Sequence, residues 1–325
     1  MATNPSFKDR AGTALTRIGL TRNNYRVSPG LYGVGNPNPD SPILVTANYK
    51  LSFDAVRFSL DSLDAWLLVV DTRGINVWCA AGKKTFSTEE VIFSVKQAKL
   101  KEISTQRTVI LPQFSATGVS AIDVKNGCGF KVLFGPIQAR DLPDVLRNNN
   151  TVSERMRSVT FTIRERIVLI PVELYLLLRP LAVLVIAAFL LSGIGPEVFS
   201  YLASYQRGLS LISATLLGIL SGSIFLPILL PWLYGRQFWI KGLWPGLIVG
   251  LLFLTIMTDQ RAVFDRVALF LWIVALSSYQ GMNFTGCTPY TSPSGVEYEM
   301  RRGIPIQVLI TVVAFVLWMS SPFIG

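Results

Sequence analysis

The chain has 325 residues, with 30 Lys and Arg, 20 Asp and Glu, no His, and a net charge of +10. Without imidazole, Ser-His-Asp and Cys-His catalysis, HExxH zinc chemistry and histidine ligation of any metal are excluded. The three cysteines form no CxxC pair, which argues against a zinc ribbon, an iron–sulfur cluster held by this chain or a disulfide framework.

Charge and hydropathy divide the chain near Arg166. Residues 1–166 hold 22 basic and 14 acidic side chains, and residues 167–325 hold 8 and 6, which sum to the totals above. A soluble unit followed by a membrane unit is the expected organisation. Arg155, Arg157, Arg164 and Arg166 gather just before the first apolar span, as the positive-inside rule predicts. Basic residues elsewhere are scattered and most aromatics lie in the apolar spans, so a nucleic-acid surface is not supported. The first forty residues have no apolar h-region, and the soluble unit is therefore expected in the cytoplasm.

Residues 1–40 read as an irregular lead-in, because Pro29, Gly30, Gly33, Gly35, Pro37 and Pro39 interrupt them. Pro42 to Thr46 is a short apolar run predicted as a strand covered on both faces. Ser52 is the expected cap of a helix from Phe53 to about Leu60, and Ala65 to Asp71 is a second buried strand. Asn76 is expected to cap a helix over Val77 to Ala81, with Gly82 as its stop. Ser87-Thr88-Glu89-Glu90 fits a capping box for the helix carrying Val91, Val95 and Ala98. Strands over Arg107 to Leu111 and Phe130 to Phe134, and helices over Gly118 to Lys125 and Ala139 to Leu146, complete the alternation.

That alternation predicts an α/β doubly wound, Rossmann-like domain over 41–150, with a small parallel sheet. Ligands of such sheets bind beyond the carboxyl ends of the strands. Thr46 to Asn48, Thr72 to Lys83, Gln113 to Val119, and Gly135 to Pro136 then share one rim, and only the second loop carries a thiol. The rim has neither GxGxxG nor GxxxxGK[ST], so phosphate cradling is not indicated.

A basic connector over 151–166 leads to an all-α membrane domain over 167–325. Five spans are predicted at about 167–191, 209–230, 238–257, 262–278 and 304–324, each near the ~20 residues that cross hydrocarbon, with the fourth short. Arg236 and Lys241 in the second loop, and Arg301 and Arg302 in the fourth, predict the N-terminus inside and the C-terminus outside. In the first and third loops basic residues are balanced by acids. Glu173 and Arg179 within the first span are expected to face the bundle interior near the membrane edge.

Cys79 falls in the first turn of the Val77–Ala81 helix, where unpaired backbone N–H groups favour a thiolate. Lys83 and Lys84 would add to that effect if they fold back, and Ala80, Ala81 and Gly82 remove bulk beside the thiol. A small buried core residue, a nucleophile and a cofactor ligand all remain open for Cys79 on these grounds, although a nucleophile would lack its usual histidine base. Cys128 and Cys287 have no comparable setting and are expected to be structural.

The string Asn76-Val77-Trp78-Cys79-Ala80-Ala81-Gly82-Lys83 closely resembles the cap-helix signature of the HgcA family, the membrane corrinoid proteins of microbial mercury methylation. Supporting strings are Ser41 to Lys50, Asp71 to Asn76, Phe134 to Pro143 and Met282 to Met300, so the resemblance covers nearly the whole chain, including the five-span tail. The related corrinoid iron–sulfur protein domain shares the fold but lacks this cysteine.

The resemblance implies a corrinoid-dependent methyltransferase that gives methylmercury from Hg(II). It implies a base-off, Cys-on corrinoid whose lower axial cobalt ligand is the Cys79 thiolate, easing departure of the methyl group as a carbanion or radical equivalent. Thr46, Asn48, Asn76, Val77, Trp78, Ala80, Ala81, Gly82, Lys83, Gly118, Val119, Gly135 and Pro136 are the further cofactor-binding residues it suggests. Implied partners are the ferredoxin-like protein HgcB, as electron donor and possible Hg(II) carrier, and a methylfolate system as methyl donor. The alternative is a membrane transporter or sensor with a soluble small-ligand-binding domain, and visible colour of the purified protein discriminates the two.

Overall fold

In a computed structural model, residues 1–256 and 263–324 are described. The chain forms two compact units, Met1–Thr160 and Phe161–Gly325.

The first unit is a mixed α/β domain. Its strands are β1 (Gly30–Val34), β2 (Ile43–Ala47), β3 (Ala65–Val70), β4 (Thr108–Leu111) and β5 (Lys131–Phe134), in the spatial order β1-β3-β2-β4-β5. Pairs β2–β3, β2–β4 and β4–β5 are parallel, whereas β1 runs antiparallel to β3. The expected all-parallel sheet is thus corrected by one antiparallel edge strand, drawn from the segment read as irregular. The same segment holds α1 (Phe7–Ile18), which Ser6 and Asp9 start with a reciprocal capping box.

Period-2 alternation sends the strand side chains to two cores. Ile43, Val45, Ala47, Leu68 and Val70 face α3 (Val77–Gly82), α4 (Thr88–Gln97) and α6 (Ala121–Cys128). Leu44, Leu67, Val69 and Ile110 face α2 (Lys50–Ser59) and α7 (Leu142–Arg147). A short helix, α5 (Leu100–Ile103), precedes β4, and α8 (Glu154–Arg157) ends the unit.

Several element boundaries differ from expectation. Helix α2 starts at Lys50, three residues before the predicted Phe53, because the backbone turns at Tyr49 straight out of β2, and Ser52 lies inside the first turn. Helix α6 starts after Ser120, whose side chain accepts the Asp123 N–H, so Gly118 and Val119 belong to the preceding loop. The predicted helix over Ala139 to Leu146 is a one-turn 3-10 helix, Ala139–Asp141, followed by α7. Four charges join α1 to α2: Lys50 Nζ pairs with Asp9 at 2.8 Å and with Asp54, while Arg57 contacts Asp9 at 3.2 Å and Asp54 at 2.8 Å.

The second unit holds α9 (Ile163–Ile167), α10 (Ile170–Ser192), α11 (Tyr201–Leu220), α12 (Leu226–Leu229), α13 (Phe238–Ile256), α14 (Val263–Phe284) and α15 (Pro293–Ile324). Five stretches are long and apolar enough to cross a membrane: Ile163–Ser192, Tyr201–Leu229, Phe238–Ile256, Val263–Cys287 and Ser294–Ile324. The fourth is longer than the predicted short span. Its polar residues are satisfied inside the bundle, Ser277 donating to the Gly242 carbonyl at 2.7 Å and Ser278 to that of Trp239 at 2.9 Å. Hydroxyls bonded this way cost little in hydrocarbon, so the helix continues past them. Gly242 and Gly246 let α13 lie against α14, since a Cβ at either would come within 2.8 Å of Ser277 or Ser278. The predicted end of span three at Met257, the start of span four at Ala262 and the charges of the third loop lie outside the described residues.

Glu173 accepts a bond from Cys287 Sγ at 2.8 Å, whereas Arg179 is exposed on α10, contrary to the interior position expected of it.

Candidate functional site

All four parallel strands end on one edge of the sheet, and strand order reverses around β2, whose neighbours are β3 and β4. Such a reversal opens a crevice between the loops that leave in opposite directions. Loops 47–49, 71–76, 112–119 and 135–137 border it.

Asn48 organises the second of these loops. Its Oδ1 accepts from the Thr72 N–H at 3.1 Å and the Gly74 N–H at 2.8 Å and lies 2.9 Å from the Thr72 hydroxyl, while Nδ2 donates to Asp71 at 2.9 Å. Arg73 and Gly74 both adopt positive φ, at 59° and 76°, and the Asn48 amide holds this left-handed pair in place of a strand continuation. Asn48 is only 2% exposed, and both its amide oxygen and its amide nitrogen are engaged in holding this loop.

The loop delivers Asn76 as the N-cap of α3. Asn76 Oδ1 accepts the Cys79 backbone N–H at 2.9 Å, which fixes Cys79 in the first helical turn. Cys79 is a free, half-buried thiol. Val77, Ala80 and Ala81 are buried in the core facing α4 and α6. The two alanine methyls therefore allow close packing of α3 on the sheet and do not clear space beside the sulfur, as had been expected. Gly82, one turn after Cys79 and exposed, is the residue that leaves that helix face bare. It ends α3 with Lys83 as the C-cap, and the left-handed residue is Lys84 (φ 60°), not the predicted stop Gly82. Lys83 and Lys84 are exposed, and Trp78 is half-buried beside Cys79.

Gly118 sits where the 112–119 loop abuts α3: a Cβ there would meet the Phe86 carbonyl at 2.5 Å and the Ala81 Cα at 3.1 Å. Val119 is a core residue. Gly135, whose N–H bonds to the Leu111 carbonyl at 2.8 Å, and Pro136 are buried at the end of β5. These four residues shape the crevice through the backbone. Thr46 alternates with Val45 along β2, so its side chain turns to the face covered by α2 and α7, away from α3. The structure thus separates Thr46 from Cys79.

Among the described residues, Tyr49 Oη and Gln113 Oε1 along this edge are buried without a hydrogen-bond partner, as is Thr46 Oγ1 on the face covered by α2 and α7. Buried polar groups are nearly always paired, so unpaired ones bordering a crevice fit an occupant rich in donors and acceptors. Tyr49 was not among the expected residues, although it lies in the Ser41 to Lys50 string. Burial raises its phenol above the usual range; Arg22 and Arg17 oppose the shift, and the charge of a Cys79 thiolate reinforces it. Glu90 was also missed. Its carboxyl accepts from the Asp71 backbone instead of returning to Ser87, so only the Ser87 half of the predicted capping box forms, and burial followed by the Asp71 charge pushes it above the usual carboxylate range. Cys128 donates to the Val124 carbonyl at 3.1 Å within α6, away from this edge.

No group of three or more His, Cys, Asp or Glu residues able to hold a metal ion occurs among the described residues. A metal at this edge would find no such set around Cys79 and would need much of its coordination from a cofactor.

Residues 20–146 match the family model of the CO dehydrogenase/acetyl-CoA synthase delta subunit. Similar proteins include the acetyl-CoA decarbonylase/synthase complex subunit gamma of Methanopyrus kandleri, 33% identical over 127 residues covering 38% of this chain and 27% of that protein. The gamma 2 subunit of Methanosarcina thermophila is 35% identical over 127 residues, with the same coverage. The gamma subunit of Archaeoglobus fulgidus is 30% identical over 130 residues, covering 39% and 27%. The chain spans about a quarter of the length of these relatives, and the matched part is the α/β unit that carries Cys79.

Proposed function

We propose that the α/β unit binds a corrinoid at the carboxyl edge of its sheet, and that the protein transfers a methyl group from it to Hg(II). The observation that carries this reading is a half-buried thiol fixed by Asn76 at a helix start on the carboxyl edge of the sheet, where Tyr49 and Gln113 keep buried polar atoms without a partner among the described residues. Sequence similarity to subunits of acetyl-CoA synthase and decarbonylase complexes supports a methyl-handling corrinoid domain, and the resemblance of Asn76 to Lys83 to the HgcA signature supports mercury as the acceptor.

When bound, the corrinoid supplies a transferable methyl group on cobalt. Cys79 would hold the cobalt as a thiolate, a strong electron donor for which no histidine competes. Asn76 holds the Cys79 backbone so that the sulfur and the positive end of α3 act together. Asn48 fixes the loop from which α3 starts, and thereby the height of the thiol above the sheet. The Tyr49 hydroxyl and Gln113 would offer hydrogen bonds to the polar periphery of the cofactor. Gly82 carries no side chain that would stand against a ring on that exposed face.

By the loop charges, the α/β unit lies in the cytoplasm and the C-terminus outside, with the five spans as the anchor. A ferredoxin-like partner of the HgcB type supplies electrons and Hg(II), and a methylfolate system restores the methyl group.

The test is methylmercury formation by the full chain with cobalamin, a methylated folate donor and the reduced ferredoxin partner, compared with omission of each. Formation that depends on all components supports the reading. A colourless preparation that takes up no cobalamin would contradict it.

A further inference from the structure

The helical unit contains a cleft of about 350 Å³ bordered by α10, α11, α14 and α15, with almost wholly apolar walls that include Leu184, Ala187, Leu191, Trp272 and Trp318. Val312 and Phe315 at its margin are half exposed. An apolar opening between membrane-length helices accepts hydrocarbon, but its end carries a second feature.

There, Arg207 of α11 donates to the Ser192 carbonyl at 3.2 Å, to Asp265 at 3.3 Å and to the Trp318 carbonyl, and its guanidinium lies 4.2 Å from the centre of the Trp318 ring. Ser192, Arg207, Asp265 and Trp318 come from four different helices, each within about two turns of its end. This places them at the level where headgroups meet acyl chains. Around that guanidinium three donors have no partner among the described residues: Ser192 Oγ, Arg207 Nε and Trp318 Nε1. Ser192 is 0% and Trp318 4% exposed. Leaving three donors unpaired at membrane depth is costly, whereas one group rich in acceptor oxygens would satisfy them together.

We infer that this cleft is a phospholipid site, holding one acyl chain along α10 and α15 with the phosphate and ester oxygens of the lipid on the Ser192–Arg207–Trp318 donors. Asp265 offsets part of the Arg207 charge, so recognition rests on acceptor oxygens more than on net headgroup charge. The site is independent of the methyl-transfer reading, since every residue in it belongs to the helical unit.

Native mass spectrometry of the full chain, purified in a neutral detergent and titrated with dioleoylphosphatidylglycerol, tests it. One tightly held lipid adduct is expected. Ala187→Trp fills the cleft from α10 and replaces none of the donors, and Trp318→Phe removes one donor while keeping a ring. Each should weaken the first adduct about tenfold, the worth of a buried hydrogen bond to a charged acceptor or of the lost chain contact. An unchanged first adduct in Trp318→Phe overturns the headgroup assignment even if Ala187→Trp fails to fold. Equal binding of dodecanol, which lacks phosphate and ester groups, also overturns it.

Discussion

The side-chain oxygen of Asn76 accepts the backbone N–H of Cys79 at 2.9 Å, and this one bond sets the position of the thiol. Asn76→Ala removes the cap of a helix only six residues long, which has few other means of holding its first turn. A stability loss on the order of 1 kcal/mol is expected by chemical denaturation. Because the same bond orients the sulfur, methylmercury formation should fall further than stability does. Activity that drops only in proportion to the folded fraction would show that Asn76 acts on folding alone.

Asn48 makes a stronger case, since its amide serves Asp71, Thr72 and Gly74 at once. Asn48→Ala leaves two backbone N–H groups without their acceptor and should cost about 2–4 kcal/mol. Asn48→Asp keeps the acceptor but sets a carboxylate against Asp71. It should fold less stably than the wild type at neutral pH and recover as the pH falls toward 4, where a carboxylate pair takes up a proton. A thermal melt across that range checks both variants.

Tyr49→Phe deletes a buried hydroxyl that has no protein partner. Removing an unpaired group is nearly neutral for the empty protein, so its melting point should change little. Cobalamin retention on gel filtration should fall several-fold, as expected for loss of one hydrogen bond to the cofactor. Retention equal to the wild type would remove Tyr49 from the site.

The α1–α2 junction makes stability acid-sensitive. Hydrogen bonding to Lys50, supported by Ser6, holds the Asp9 carboxyl well below the usual carboxylate range. A depressed carboxylate contributes stability that is present above its unfolded value, near 3.8, and is lost as pH falls through the folded value. The wild type should therefore exceed Asp9→Asn in stability at pH 6, and the gap should narrow steadily below about pH 4. A gap that stays constant down to pH 2 would contradict the assignment.

How much of this was legible in the sequence depended on whether a signal was local. Strands β2 and β3 are nearly continuous apolar runs buried on both faces, and β2 to β5 were all placed to within a residue or two. Strand β1 and helix α1 were missed because glycine and proline surround Leu31 and Tyr32, and the pairing that makes β1 a strand comes from β3, whose Trp66 lies opposite Gly33 and 33 residues away in sequence. The Ser6–Asp9 capping box was a readable sign of α1. At the site, Asn76 and Cys79 were legible because a cap and its helix are local. Asn48 was read as a rim residue, whereas its partners lie 23 to 26 positions away and show that it holds a loop. Ala80 and Ala81 were read as clearance for a ligand, but a helix shows its two faces alike in sequence, and only packing reveals that these methyls point inward. The Arg207–Asp265 pair was passed over because hydropathy averages its charges away within long apolar helices.

The most direct test of the account is X-ray absorption at the cobalt edge on the cobalamin-loaded full chain and on Cys79→Ala. A sulfur scatterer bound to cobalt in the wild type, absent from the variant together with methylmercury formation, is the predicted result. A cobalt environment identical in the two proteins, or full activity in Cys79→Ala, would contradict the claim that Cys79 is the lower ligand.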